Sequence, residues 1–160
     1  MIGQANVDPR ARLLAQLPRL ADQGFEITSQ ATREYNCIAW SMEETTQFWW
    51  PVDNGGYFWP TDATEPSLPD FEQVYTDLGY GRCDHIDHEG GADQVAIYLD
   101  PSGTPTHAAR RLKNGNWTSK LGDFEDIEHN DVNGVCCDTY GETVIILCRP
   151  PQPRLAVGSE

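Results

Sequence analysis

The chain has 160 residues and a formal net charge of −14 at neutral pH, and 39% of its residues are hydrophobic. This length and apolar content suit one domain with a substantial core and exclude global disorder. The negative charge repels phosphate groups, so we expect neither nucleic acid nor an anionic membrane surface as a partner. The sequence also contains no run of about 18 apolar residues, the length that a membrane-spanning helix needs.

The cysteines and the N-terminus bear on where the protein works. Five cysteines are present, an odd number that includes the adjacent pair Cys136 and Cys137, and residues 1–10 lack the pattern of a cleavable signal peptide. This is a poor disulfide framework, and it predicts a cytoplasmic location. Export by a route without a cleavable signal remains an alternative. No phosphate-binding glycine loop or dinucleotide motif is present, and we expect no cofactor.

The pattern predicts a single α+β domain over residues 10–149, between a flexible N-terminus (residues 1–9) and a flexible, proline-rich tail (residues 150–160). Leucines at helical spacing predict a first helix over residues 10–21, which Pro18 kinks or shortens. Residues 25–28 form either a strand or a packed connection. Asn36 is a good N-cap for a second helix.

The second half of the chain is dominated by predicted strands. A third helix over residues 70–78, with Asp70 as its N-cap, precedes strands over residues 94–100, 106–112, 117–121 and 143–149. Asn114-Gly115 predicts a hairpin in which Leu112 pairs with Trp117 and Ala109 with Lys120. In that register His107 shares a face with Thr118 and Lys120. The last strand is continuously apolar, which predicts burial on both faces.

Cys37 and His107 are the candidate catalytic pair. A thiol attacks only as the thiolate, and two devices lower its pKa: the N-terminus of a helix and a nearby imidazole. Cys37 follows the predicted N-cap directly, and His107 on a later strand can serve as the proton acceptor. The alternative is that Cys37 is a small buried core residue and His107 a structural histidine.

A third group that orients the imidazole is left open. Ser119 lies on the strand after His107, and three acidic residues follow it: Asp123, Glu125 and Glu128. His129 is a further catalytic candidate, although an ordinary loop histidine is the simpler interpretation.

The chain also contains potential metal ligands and two aromatic runs. Residues 83–89 together with Cys136-Cys137 offer zinc ligands, but adjacent cysteines chelate one tetrahedral ion poorly, so we expect no metal site. Two aromatic runs, residues 48–51 and 57–60, flank a turn and predict an ordered loop. The loop either packs on the core or forms the wall of a substrate cleft, with Trp49, Trp50 and Trp59 as substrate-binding residues.

Several of these segments together resemble known families. Residues 35–40, 106–109 and 117–122, extended by 127–129 and 140–141, resemble a family of uncharacterised bacterial proteins over roughly residues 10–149. The chain is also remotely similar to the bacterial papain-like enzymes, the NlpC-type and CHAP-type amidases and peptidases. That similarity implies a papain-like fold with N-terminal helices packed on an antiparallel sheet, Cys37 as nucleophile and His107 as base. The strand after His107 carries no His, Asn, Gln or acid, so a dyad or an inactive relative stays open.

Two functions follow from these observations. The first is a cysteine hydrolase or acyl transferase that acts on an amide bond of a peptide or protein substrate. The second is a non-enzymatic, acidic protein-interaction module, such as an immunity-like protein. An enzyme needs Cys37 ionised near neutral pH and a binding module does not.

Overall fold

The fold is described by a computed structural model over residues 8–52, 56–83 and 91–150. The helices are α1 (Pro9–Gln16), α2 (Cys37–Ser41) and α3 (Leu68–Thr76), with 3₁₀ helices at Pro18–Asp22 and Val132–Val135. The strands are β1 (Phe25–Ile27), β2 (Gly81–Arg82), β3 (Asp93–Leu99), β4 (Pro105–Arg111), β5 (Trp117–Lys120), β6 (Asp126–His129) and β7 (Thr143–Arg149). They form one antiparallel sheet in the order β1-β6-β5-β4-β3-β7-β2, which confirms the α+β class. No helix in the described residues is long and apolar enough to cross a bilayer.

The first predicted helix is split in two. An α-helix ends at Gln16, and Pro18 begins a separate 3₁₀ helix. Proline has no N–H for the helical ladder, and its ring clashes with the carbonyl four residues earlier, so the α-helix cannot continue through it. The leucines nevertheless face the core as their spacing predicts, because Leu13, Leu17 and Leu20 are all buried.

The third helix begins earlier than predicted. Ser67 is its N-cap, with its hydroxyl oxygen 3.3 Å from the backbone N–H of Asp70, and Pro69 occupies the first turn, where a missing N–H costs nothing. The predicted N-cap Asp70 lies inside the helix and instead accepts hydrogen bonds from Trp59 and Thr61. The helix therefore starts at Leu68 rather than at Asp70.

The hairpin between β4 and β5 differs from the predicted register by one residue. Trp117 pairs with Arg111 rather than with Leu112, and Thr118 pairs with Arg110. Because side chains alternate between faces with a period of two, this shift exchanges the residues that β5 presents to each face. His107 consequently shares its face with Ser119, not with Thr118 and Lys120.

The sheet has a separate hydrophobic core on each face. The first face, which carries His107, packs against α1 and the two 3₁₀ helices; its core includes Leu13, Leu20, Tyr98, Ala109, Trp117 and Ile127. The second face packs against α2 and α3; its core includes Cys37, Ile38, Phe71, Val95, Ile97 and Ala108. Both faces of the central strands are therefore buried.

The last strand is less buried than predicted. Leu147 is the buried residue of β7, whereas Val144, Ile145 and Ile146 are half-buried and Thr143 is exposed. The reason is position: β7 lies between β3 and the two-residue β2, so little chain covers its outer side. The apolar run therefore marks a strand near the sheet edge, and the prediction of burial on both faces is wrong.

Two of the five cysteines form a disulfide. β2 pairs with β7, and this pairing places Cys83 beside Cys148, with their Cα atoms 5.9 Å apart. The cysteines, predicted to be a poor disulfide framework, thus form this one disulfide, and the remaining three are free buried thiols. The bond also removes Cys83 from the considered zinc cluster. Residues 84–89 of that cluster lie outside the described residues, within which no group of three metal ligands occurs.

Candidate functional site

Cys37 is the first residue of α2, and Asn36 holds the start of this helix in place. The side-chain oxygen of Asn36 accepts from the N–H groups of Ala39, at 3.2 Å, and Trp49, at 3.1 Å. Its amide nitrogen donates to the carbonyl of Trp49 at 2.9 Å. The predicted N-cap is confirmed, and the same side chain ties the helix to the aromatic loop. The helix is short because Glu43, just beyond it, adopts a φ of 64°.

The thiol of Cys37 is buried and protonated at neutral pH. Its sulfur lies within hydrogen-bonding reach of the backbone of Ala108, and burial raises its pKa to about 11. The backbone contacts and the positive charge of Lys120 act in the opposite direction but are outweighed. Desolvation therefore dominates over the helix start, and the lowered pKa expected from sequence is absent in this conformation.

Cys37 and His107 lie on neighbouring elements but on either side of the β4 backbone. α2 packs on the face that carries Ala108, whereas His107, one residue earlier, points to the other face. β4 pairs with β5 at Arg110 and Arg111, so the backbone of Ala108 lies outside that ladder. The Cys37 sulfur lies within hydrogen-bonding reach of this Ala108 backbone. No hydrogen bond between the thiol and the imidazole occurs in the described part of the chain.

The imidazole of His107 has one engaged nitrogen and one without a partner. Nε2 lies 3.0 Å from the hydroxyl oxygen of Ser119. Nδ1 is buried and has no hydrogen-bond partner among the described residues. Burial, with a smaller contribution from His129, lowers the pKa of His107 to about 3, so the ring is neutral. The rings of Tyr140 and Tyr98 enclose it at centroid distances of 4.1 and 5.1 Å.

His129 belongs to this site, and interpreting it as a loop histidine was wrong. It lies on β6, fully buried, with Nε2 at 2.9 Å from the Ser119 hydroxyl and Nδ1 at 2.9 Å from the carbonyl oxygen of Asp131. Burial lowers its pKa to about 4. The sequence signal was weak, because acidic residues from Asp123 to Glu128 make this stretch look like a solvated loop.

The acidic candidates for the third group contact other residues instead. Glu125 pairs with Arg12, and Asp123 lies 3.8 Å from Arg33 on the surface. Glu128 accepts from Asn114 and Asn116. Of the four candidates named from sequence, Ser119 is the one that contacts His107.

Lys120 places a buried cation on the same face of the sheet as Cys37. Its ammonium donates to the carbonyls of Thr32, at 2.7 Å, and Gly122, and it lies 5.0 Å from the centroid of the Tyr35 ring. Burial lowers its pKa. This cation is the charged group that most directly favours the thiolate of Cys37.

Two of the three tryptophans predicted to bind substrate, Trp50 and Trp59, pack against α3, and Trp49 lies against Phe58. The rings of Trp50 and Trp59 contact Phe71 at centroid distances of 5.5 and 4.8 Å. Trp49 lines a cavity of about 250 Å³ at the C-terminal end of α2, together with Met42, Leu78 and Tyr80 among others. Its buried indole nitrogen has no hydrogen-bond partner in the described structure. These contacts are compatible with core packing for Trp50 and Trp59 and with a cavity wall for Trp49.

Comparison with known proteins identifies one family. Residues 26–148 match the family described as "Domain of unknown function (DUF7689)". No curated protein and no solved structure matches the chain. The matched region begins in β1 and ends in β7, so it includes Cys37, His107, Ser119 and His129. Because the match covers most of its length, the chain belongs to the DUF7689 family of domains of unknown function.

Proposed function

We propose that the protein is a papain-like cysteine hydrolase or acyl transferase that acts on an amide bond of a peptide or protein, with Cys37 as nucleophile and His107 as base. The observation that supports this most is the imidazole of His107. One of its nitrogens is held by Ser119, the other has no partner among the described residues, and the next residue along the strand contacts the Cys37 sulfur. A buried nitrogen without a partner costs stability, and such groups are uncommon in native proteins, so its retention here favours a functional role.

The proposed reaction has two stages. In the proposed catalytic conformation, a local movement of β4 brings the imidazole and the thiol to the same side of the strand. The Cys37 sulfur then attacks the carbonyl carbon while the thiol proton passes to Nδ1 of His107, and backbone N–H groups at the start of α2 stabilise the oxyanion. The C–N bond then breaks, the amine leaves with the proton from His107, and a thioester remains on Cys37. Water hydrolyses the thioester, or an acceptor amine takes the acyl group.

The described conformation corresponds to a resting state in this proposal. The pKa values of about 11 for Cys37 and about 3 for His107 make proton transfer between them unfavourable by roughly 11 kcal/mol. Burial is the main cause of both values, so entry of water or substrate removes most of this barrier. With ordinary values of about 8.5 and 6.5 the cost falls to roughly 3 kcal/mol.

The proposal also covers the papain-like fold, the tryptophan that contacts substrate and the cellular location of the protein. A cysteine at the start of a helix, packed on an antiparallel sheet with the histidine on a central strand, is the arrangement expected of the papain-like fold. Trp49 in its cavity is the best placed of the three tryptophans to contact substrate. A cytoplasmic location stays a prediction. The Cys83–Cys148 disulfide favours the alternative, export to an oxidising compartment.

Burial of the same two side chains favours a second candidate function, a non-enzymatic protein-interaction module. His107 has no exposed surface and Cys37 is only 6% exposed, which suits structural residues. The net charge of −14 and the exposed rings of Tyr57 and Phe58 then provide the interaction surface.

Alkylation of Cys37 by iodoacetamide as a function of pH, followed by peptide mass spectrometry, distinguishes the two functions. An enzymatic Cys37 reacts with an apparent pKa below about 8.5, and the His107→Ala substitution abolishes this. A permanently buried Cys37 reacts slowly in both proteins, with an apparent pKa near 11. Cys136 serves as the internal control, because it is a buried thiol whose pKa is also raised to about 11.

A further inference from the structure

A continuous chain of hydrogen bonds links His107 to the backbone of the β6 end. Nε2 of His107 lies 3.0 Å from the Ser119 hydroxyl, which lies 2.9 Å from Nε2 of His129. Nδ1 of His129 lies 2.9 Å from the carbonyl oxygen of Asp131. The three side chains in this series, His107, Ser119 and His129, are fully buried, so no bulk water competes for their hydrogen bonds.

The carbonyl at the end determines where every proton in this chain lies. A carbonyl oxygen only accepts, so Nδ1 of His129 carries the proton. Burial keeps both rings neutral at pH 7, and therefore Nε2 of His129 has no proton and accepts from the Ser119 hydroxyl. That hydroxyl has a single proton, so toward His107 it can only accept. Nε2 of His107 is then the protonated nitrogen, and Nδ1 has a free lone pair.

We propose that Ser119 and His129 are positioning residues that hold His107 as the Nε2–H tautomer and so keep Nδ1 available as the base for Cys37. The role as a base rests on the proposed function, whereas the tautomer does not. Imidazole accepts the thiol proton only through an unprotonated nitrogen, and Nε2 is occupied by Ser119, so the tautomer with the proton on Nδ1 cannot serve as this base. His129 acts on the reaction through Ser119 and does not touch the substrate.

Two substitutions of His129 separate this role from simple packing. His129→Leu removes the acceptor, so the Ser119 hydroxyl turns and donates to Nε2 of His107, which moves the proton of that ring to Nδ1. His129→Gln is the matched control: its amide oxygen can accept from Ser119, but it has no ring to titrate. If both variants fold, only His129→Leu reverses the direction of the hydrogen bond between Ser119 and His107.

The test is the tautomer of each histidine, read from the ¹⁵N chemical shifts of the ring nitrogens at pH 7. We expect Nε2–H for His107 and Nδ1–H for His129 in the wild type, a change to Nδ1–H at His107 in His129→Leu, and no change in His129→Gln. A wild-type His107 protonated at Nδ1 overturns the proposal even if no variant folds. An unchanged tautomer in a folded His129→Leu also overturns it.

Alkylation of Cys37 in the same proteins connects the chain to the reaction. We expect His129→Leu to slow alkylation at pH 7 by about 100-fold and His129→Gln to stay near the wild-type rate. Equal rates in both variants contradict a positioning role. If the tautomers are as expected but Cys37 is inert in the wild type, the proposed hydrogen-bond arrangement is correct and the proposed enzymatic function is wrong.

Discussion

The phenol ring of Tyr140 lies flat on the imidazole of His107, with 4.1 Å between the centroids and 14° between the planes. This ring is one of the groups that keep water from His107, and Tyr140 is itself only half-buried. It also interacts electrostatically with Cys37. Of the two rings that enclose His107, Tyr140 is thus the partly exposed one, because Tyr98 is fully buried.

Removing this ring should hydrate the site. We expect Tyr140→Ala to return the pKa of His107 toward its ordinary value and, because the proposed function makes His107 the base for Cys37, to speed alkylation of Cys37 at pH 7 by at least tenfold. The loss of a half-buried ring should cost about 2 to 3 kcal/mol of stability. Tyr140→Phe keeps the ring and should alkylate like the wild type. Equal alkylation rates in the alanine and phenylalanine variants would show that another group controls access.

The two buried histidines predict how stability depends on pH. Burial lowers the pKa to about 3 for His107 and about 4 for His129, while both return to about 6.5 in the unfolded chain. Between pH 6.5 and 4 the unfolded chain binds protons that the native state does not, so stability falls as the pH falls. From pH 7 to pH 5 the loss is about 2 kcal/mol for each residue, roughly 4 kcal/mol together.

Urea unfolding at pH 7 and pH 5 measures this loss. Replacing His129 with Gln should reduce the difference between the two pH values by about half, because one titrating group is removed. The carboxylates whose pKa is lowered, such as Asp100 and Glu128, titrate below this window and contribute little to it. A wild-type protein equally stable at both pH values would mean that the histidines are protonated in the native state.

The Cys83–Cys148 disulfide predicts sensitivity to reductant. It joins residues 65 positions apart, and a crosslink of that span stabilises the native state by about 4 kcal/mol through the entropy of the unfolded chain. We expect a reducing agent to lower the free energy of unfolding by about this amount in a denaturant titration. A double variant, Cys83→Ser with Cys148→Ser, should match the reduced wild type and ignore the reductant. Reduction confirmed by mass, with an unchanged midpoint, would contradict this prediction.

Asn36 predicts a graded loss of stability, because it combines a helix cap with two bonds to the aromatic loop. Asn36→Ala should cost about 2 to 3 kcal/mol, since it removes all three bonds at a buried position. Asn36→Ser keeps a cap acceptor but is too short to reach Trp49, so its cost should be about half of that. Equal losses for alanine and serine would show that the loop contact, not the cap, is what matters.

Local chemistry was sufficient to predict much of the fold. The N-cap Asn36, the hairpin turn at Asn114-Gly115 and the strands β3, β4 and β5 are all found where sequence patterns place them. The hairpin register was not predicted correctly, because moving one residue from a strand into the turn changes the local pattern very little. That single residue decides whether His107 faces Lys120 or Ser119.

Contacts between distant segments were beyond the sequence pattern. Cys83 and Cys148 become neighbours only because a two-residue strand pairs with β7, which no periodicity indicates. The apolar pattern of the segment around His129 is too short to distinguish a strand from a loop. His129 is recognisable as part of the site only from the pairing of β6 with β5. The candidate nucleophile could be chosen from its own surroundings, but the group that orients the base could not.

The acceptor that terminates the hydrogen-bond chain is a main-chain carbonyl, that of Asp131. Every residue type supplies that atom, so no single substitution at position 131 removes it directly. Variation at this position in relatives should therefore be tolerated as long as the turn keeps its shape, which the Asp131 side chain helps by accepting from the N–H of Asn133 at 2.8 Å. The side chains that fix the proton positions are those at 119 and 129. We therefore expect these two positions to vary less than position 131 in an alignment of the family.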